Sequence, residues 1–285
     1  MNVKHKKDRA PTTLKQALKN KLPKKLENII PSSFDVVGDI AVIEIPEELK
    51  KYELLIGNVL LSLHSNLKVV CRKHGIHKGK FRTQEYRILA GERRKETVHK
   101  ENNARIKLHI EKTYFSSRLG TERLRVSKLV KSKENILVMF GGVAPYACVI
   151  SKNAEPKKIV SVELNPHAHK YAVKNILLNK LKNVEVVQGD VKIIVPKLKG
   201  KFDRILMPLP RNAEDYLGQA FKKIKKNGVI HMYNFGLLEE TELILEKIKK
   251  QATVHKKKYK ILNIQKCGQY SPRKFRVCID FVVLD

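Results

Sequence analysis

A glutamate flanked by arginines lies in residues 113–130, TYFSSRLGTERLRVSKLV. Read as a helix, Leu119, Val126, Leu129 and Val130 form one apolar stripe, Glu122 falls within its edge, and Arg118 and Arg125 lie on a flank. A carboxylate on the buried side is costly unless it is paired or at work. Apolar surroundings would strengthen its hold on a proton, as a general base requires, and arginine neighbours would weaken it. The purely structural alternative is an ion pair with Arg118, four residues back.

A second set of residues follows short apolar runs. Phe140-Gly141-Gly142-Val143-Ala144 is a turn of small residues that lets a ligand approach the backbone. Glu163, with Leu164 behind it, comes about twenty residues later, where a carboxylate can accept hydrogen bonds from both hydroxyls of a ribose. Asp190 and Val191 follow the third run, placed to meet an adenine ring, with Asp190 also able to cap a helix. Met207 opens the fourth group, Met207-Pro208-Leu209-Pro210. Nicotinamide cofactors favour GxGxxG, which GGVAPY lacks, so S-adenosylmethionine fits the set better.

These residues need a scaffold. From about residue 134 apolar strands alternate with helices: ENILVMF, YACVISKN, KIVSVEL, PHAHKYAVKNILLNK, VEVVQG, DRILMPL, NAEDYLGQAFKKIKK, GVIHMYNF and LLEETELILEKIKKQ, with YKILNIQKCG and FRVCIDFVVL closing as a pair. That rhythm predicts an α/β domain, a parallel Rossmann-like sheet covered on both faces, over residues 113–285. Residues 26–112 read as a small α+β module with strand-like stretches at DVVGDIAVIEI, NLKVVCRK, YRILAG and ARIKLHIEKTYF. Residues 1–25 carry nine Lys/Arg against one acid and read as a basic arm or one short helix.

The chain of 285 residues has a formal net charge of +31, which points to a polyanionic partner, nucleic acid before anionic membrane. A lysine-rich surface of thermophilic type is the bland alternative. No apolar run reaches the roughly 18 residues that span a bilayer, and the N-terminus lacks the apolar middle of a signal peptide. A cytosolic monomer is expected. Cys71, Cys148, Cys267 and Cys278 lack CxxC spacing and read as buried thiols, and no structural metal is expected.

The runs HKENNARIKLHIEKTYFSSRLGTERLRV, MFGGVAPY, VELNP, QGDV, DRILMPLP and YSPRKFRVCIDFVV, in this order over about residues 26–285, resemble the archaeal and eukaryotic tRNA (guanine-37-N1)-methyltransferases. The resemblance implies a class I methyltransferase that binds S-adenosylmethionine and methylates the purine beside the tRNA anticodon. It implies Glu122 as general base, Arg118 and Arg123 as the family's arginines (Arg123 at the cofactor), Tyr114 as the aromatic before the helix, and Arg82 in KGKFRTQEYR as the guanine contact. Guanine N1 holds a proton at neutral pH, so attack on a sulfonium methyl needs a base, and an arginine at O6 would stabilise the developing negative charge.

Three positions depart from the family pattern: Pro208 replaces an asparagine that contacts the target base, Val138 an aspartate of the first strand, and Ala144 a glycine of the cofactor turn. Losing a polar contact relaxes discrimination. Pro208 would then suit the bifunctional archaeal branch that also methylates C7 of 4-demethylwyosine, or would simply stiffen the turn. Without the family's separate outer-corner domain, the arm and Arg72, Lys73, Lys78, Lys80, Arg87, Arg93 and Arg94 would supply the phosphate contacts. The alternatives are an aminocarboxypropyl transferase of the wyosine pathway and a tRNA-binding protein with a degenerate pocket.

Overall fold

A computed structural model describes residues 11–209, 212–236, 241–271 and 274–285. The chain divides into two compact units, Met1–Thr97 with His109–Glu111, and Val98–Leu108 with Lys112–Asp285.

In the first unit, β1 (Asp35–Val37), β2 (Ile40–Ile43), β3 (Val69–Lys78) and β4 (Thr83–Gly91) form a sheet in that order. The stretch DVVGDIAVIEI is two strands, because Gly38 takes a left-handed turn (φ 61°) between them. β2 and β3 are parallel, and parallel neighbours need a crossover. A 3-10 turn, Glu47–Tyr52, and α2 (Glu53–Leu63) supply it.

Of the two expectations for residues 1–25, a basic arm or one short helix, residues 14–22 follow the second. Thr13 caps α1 (Leu14–Leu18) through a capping box with Gln16, and Leu14, Leu18 and Leu22 are buried in one core with Ile43, Ile56, Leu60 and Val70. The lysines between them face outward, so the charge is the polar side of an amphipathic segment. Several expected phosphate contacts are also partly committed. Arg72 and Arg87 share Glu53 (2.5 and 2.7 Å), Lys73 pairs with Glu44, and Arg94 grips Asp39.

In the second unit a seven-stranded sheet has the order β12-β13-β11-β10-β7-β8-β9. Its strands are β7 (Asn135–Met139), β8 (Lys158–Glu163), β9 (Val184–Gln188), β10 (Phe202–Met207), β11 (Ile224–Gly236), β12 (Tyr259–Ser271) and β13 (Lys274–Val283). The five from β9 to β11 are parallel and β13 alone runs against them. Between them come α4 (Pro145–Asn153), α5 (Pro166–Leu178), α6 (Val191–Lys197), α7 (Leu217–Lys223) and α8 (Thr241–Val254). Ile136 to Met139 are fully buried, as expected for a central strand covered on both faces. The chain reverses direction across the sheet between β7 and β10, which is where ligands bind in folds of this type.

Ahead of the sheet come a hairpin, β5 (Glu96–Glu101) and β6 (Ala104–His109), and α3 (Gly120–Leu129). Asn102 and Asn103 form its left-handed tip (φ 42° and 63°). Two asparagines one turn apart, Asn175 on α5 and Asn179 at its C-cap, satisfy the edge of β6: Asn175 bonds N–H and C=O of Lys107 (2.7 and 3.0 Å), and Asn179 those of Arg105 (2.8 and 2.7 Å). A strand edge would otherwise carry orphan backbone groups. Residues 98–108, most of the hairpin, thus group with the second unit, and only its outer ends with the first.

Candidate active site

The turn after β7 is built from backbone that few residues tolerate. Phe140, Gly142 and Ala144 are left-handed (φ 60°, 58° and 63°), while a Cβ on Gly141 would lie 2.0 Å from Ser161 Oγ. At Ala144 a side chain sits where glycine is at ease, which explains in local terms why glycine is usual there. Gly141 N–H donates to the Val162 carbonyl (2.8 Å), and the Val143 carbonyl accepts from Asn175 Nδ2 (2.9 Å).

Glu163, at the end of β8, joins this turn to the next one. Its Oε2 accepts from Gly142 N–H (2.6 Å) and its Oε1 from Asn165 N–H (2.7 Å). Burial raises its carboxyl above the usual range, against the pull of the Asn165, Gly142 and Leu164 N–H groups. A carboxylate has about four lone-pair positions, so acceptor capacity remains for ribose hydroxyls. Leu164 is half-buried beside it.

Asp190 caps α6, accepting from Lys192 N–H (2.8 Å), and Val191 behind it is buried. Met207 is fully buried in the sheet core. Pro208 and Leu209 are half-buried beyond it, with Leu209 N–H bonded to the Met207 carbonyl (2.8 Å). Pro210 lies outside the described residues. Tyr114 runs past the glycine turn: its carbonyl lies 3.8 Å from where a Gly142 Cβ would be, and its hydroxyl accepts from Arg276 Nη2 (3.0 Å).

A turn too tight for side chains, a carboxylate with lone pairs to spare and a following apolar strand end fit the adenosine part of S-adenosylmethionine. These are Gly141, Gly142, Glu163, Leu164, Asp190 and Met207.

Glu122 lies on α3 and is 4 % exposed. It does not pair with Arg118, which is exposed on the 3-10 turn Ser117–Leu119. Its partner is Arg125, whose Nε reaches Oε2 (2.7 Å) and Nη2 reaches Oε1 (2.8 Å); Tyr233 Oη also donates to Oε1 (2.7 Å). Arg125 in turn donates to Asp280 (2.7 and 3.3 Å), and Asp280 Oδ1 accepts from His231 Nδ1 (2.6 Å). Arg204 donates to His231 Nε2 (2.6 Å) and grips Glu134 with two bonds (2.8 and 3.0 Å).

The sheet explains this arrangement. His231 on β11 and Asp280 on β13 are direct cross-strand partners, as are Tyr233 and Cys278, so all four share one face. Because guanidinium only donates, His231 Nε2 must accept and Nδ1 must carry the hydrogen. Burial pushes its imidazole down, so it stays neutral. Burial opposes the charge on Asp280, yet the His231 N–H and Arg125 hold its carboxyl well below the usual carboxylate range. Burial also pushes the Tyr233 phenol up, leaving it a donor. Arg204 and Glu134 cancel. Glu122 and Asp280 are therefore two buried carboxylates on one guanidinium, one negative charge in excess.

His231, Cys278 and Asp280 bring three potential ligand atoms within 4.8 Å of one another. Arg204 and Arg125 already bond two of them, so a metal ion there would meet two positive charges.

Arg123 differs from the sequence expectation. It is 1 % exposed, and Glu101 takes its Nε and Nη2 (2.5 and 2.6 Å), the Ser116 carbonyl takes Nη2 as well (3.1 Å), and the Phe115 ring lies 5.0 Å beneath it. It ties α3 to the hairpin. Leu129, placed in the apolar stripe by spacing, is exposed because α3 ends there. Arg82 belongs to the other unit, in the turn between β3 and β4, with left-handed backbone (φ 53°). Arg125, Asp280, His231 and Tyr233 carry the charge balance around Glu122 without having been singled out as site residues.

Residues 97–262 match the TRM5/TYW2 methyltransferase domain and residues 14–94 the TYW2 N-terminal domain. The chain is 40 % identical to the tRNA (guanine(37)-N(1))-methyltransferase Trm5b of Pyrococcus abyssi, over 92 % of this chain and 78 % of that one. It is 32 % identical to the tRNA (guanine(37)-N(1))/4-demethylwyosine(37)-methyltransferase Taw22 of Nanoarchaeum equitans, over 88 % and 100 %. A solved complex of aTrm5 and tRNALeu is similar in structure, with a TM-score of 0.82 and 32 % identity over 99 % of this chain and 82 % of that one. The turn after β7, the bridging Glu163 and the α3 glutamate thus sit in a chain that belongs to the TRM5/TYW2 methyltransferase family.

Proposed function

We propose that this chain is an S-adenosylmethionine-dependent tRNA methyltransferase that acts on position 37 and methylates N1 of guanosine there. The observation that carries the reading is the excess charge at Glu122. A proton taken by this carboxylate would bring the buried cluster to neutrality, as a general base at this position requires. Among the described residues Oε2 accepts one hydrogen bond only, which leaves a position for the N1 hydrogen of guanine.

When bound, S-adenosylmethionine supplies an electrophilic sulfonium methyl group. Glu163, Gly142 and Asp190 would hold its adenosine part, and Tyr114 flanks the same turn. Glu122 takes the N1 proton as nitrogen becomes nucleophilic, while Arg125 and Tyr233 fix the carboxylate. Exposed Arg118 serves the RNA, and Arg82, in the first unit, has the role of guanine contact by the family resemblance alone.

Pro208 favours a second activity, C7 methylation of 4-demethylwyosine. It stands half-buried at the strand end with neither an amide side chain nor an N–H, so it imposes no polar test on the base edge. Carbon methylation also ends with loss of a ring proton to a base. Both readings are tested by incubating the protein with methyl-labelled S-adenosylmethionine and two matched tRNAs, one with guanosine and one with 4-demethylwyosine at position 37. N1-methylguanosine in the nucleoside mass spectrum supports the main reading, and label on the second tRNA supports the added activity. Aminocarboxypropyl product, or no product despite RNA binding, contradicts the proposal.

A further inference from the structure

The buried carboxylate of Asp280 is 155 residues from Arg125 in sequence. Nevertheless it takes the outer side of the same guanidinium that clamps Glu122. We propose that Asp280 is a positioning residue for proton transfer: by sharing Arg125 with Glu122, and being held in turn by His231, it keeps a negative charge in excess beside the proton acceptor. This rests on the reading of Glu122 as the base.

The physical case is one of competition. An arginine bonded to a single buried carboxylate makes a neutral, saturated pair, which is a poor place to put a proton. With Asp280 on its other side, Arg125 neutralises only half of what it touches. Asp280 cannot relax toward solvent, because it is 3 % exposed and receives bonds from His231 Nδ1 (2.6 Å) and Cys278 Sγ (3.1 Å). His231 cannot turn to serve another group, because Arg204 holds its Nε2. The chain of contacts therefore transmits one fixed charge to Arg125 and no proton.

The charged and titratable groups packed around Glu122 are few. α3 contributes Arg125 and Arg123, the latter neutralised by Glu101; α4 contributes Tyr146 and β11 contributes Tyr233, both phenols pushed up by burial. β13 contributes Asp280 and Cys278, and β12 contributes Cys267; burial pushes the Cys278 thiol up. His231 stays neutral through burial. Asp280 is thus the one other carboxylate on Arg125 among the described residues, and the group whose removal changes the charge at Glu122.

The test is Asp280→Asn, which keeps shape and an acceptor for His231 while removing the charge. Single-turnover methyl transfer to guanosine-37 tRNA is measured from acid to neutral pH, beside Glu122→Gln, with tRNA and S-adenosylmethionine affinities measured in parallel. The expected result is a plateau rate about tenfold lower, an acid limb moved toward acid by about one pH unit, and both affinities within about twofold of the parent. A second variant, Asp280→Glu, keeps the charge and is expected to leave the limb in place. An unmoved limb in Asp280→Asn, or the same shift in Asp280→Glu, overturns the proposal and makes Asp280 a stability residue only. Full activity in Glu122→Gln would remove the base itself, a failure distinct from an inactive Glu122→Gln with an unmoved Asp280→Asn limb.

Discussion

α3 carries two arginines two residues apart, Arg123 buried and Arg125 half-buried, each gripping a glutamate with two bonds, and the two pairs differ in what else they touch. Arg123 and Glu101 form a closed pair: one guanidinium on one carboxylate, with an aromatic ring and a backbone carbonyl at the guanidinium and His99 Nε2 3.5 Å from the carboxylate. Arg125 and Glu122 form an open pair, because Asp280 claims the same guanidinium. Geometry alone, short and bidentate in both, would not separate them. Counting charges over everything each arginine touches does.

The closed pair should dominate stability. Glu101→Gln leaves Arg123 buried without its charge partner, and urea denaturation is expected to show a loss of about 3–5 kcal/mol. Replacing both, as Arg123→Met with Glu101→Gln, should recover most of it. A loss below about 1 kcal/mol for the single change would mean that the pair is better solvated than its burial indicates.

On the open pair, Tyr233→Phe removes one donor from Glu122 Oε1 and keeps the ring. A loss of about 1–2 kcal/mol in stability is expected, with a rate change of no more than several-fold, because Arg125 still fixes the carboxylate. Asp280 makes a smaller contribution that depends on pH. Its folded carboxyl is held below the unfolded value near 4, so its stabilisation is present above about pH 4 and is lost as pH falls further. Asp280→Asn should therefore flatten the acid flank of a melting-temperature profile; an unchanged slope below about pH 4 would contradict the assignment. Smallest is Ala144→Gly in the left-handed turn position, expected to stabilise by roughly 0.5 kcal/mol after the entropy of the added glycine is subtracted. A destabilising result in the same assay would show that the Ala144 methyl packs better than its backbone strains.

The two sets of site residues were not equally legible in the sequence. The cofactor end of the sheet follows strand ends in chain order, so Gly141, Gly142, Glu163 and Asp190 could be read from the alternation of apolar runs with turns. The surroundings of Glu122 could not, because Arg125, Tyr233 and Asp280 meet it through strands far along the chain. A trace was present: Asp280 in FRVCIDFVV and His231 in GVIHMYNF are polar residues inside apolar strands, which demand partners without naming them. Arg123 illustrates the converse. Its motif position suggested the cofactor, but its partner Glu101 sits at the end of a hairpin strand, β5, that no periodicity had marked. In the first unit, Leu14, Leu18 and Leu22 were spaced for a helix face, and the lysines around them hid a segment that belongs to the core.

The central claim is that the open pair does chemistry and the closed pair does architecture. It is tested most directly by single-turnover methylation of guanosine-37 tRNA with Glu122→Gln and Glu101→Gln side by side, at a temperature where both remain folded. The account predicts a rate loss of about 10²- to 10⁴-fold for Glu122→Gln with tRNA affinity nearly intact, and a far smaller loss for folded Glu101→Gln. Equal losses, or a Glu122→Gln protein that methylates at the parental rate, would contradict it.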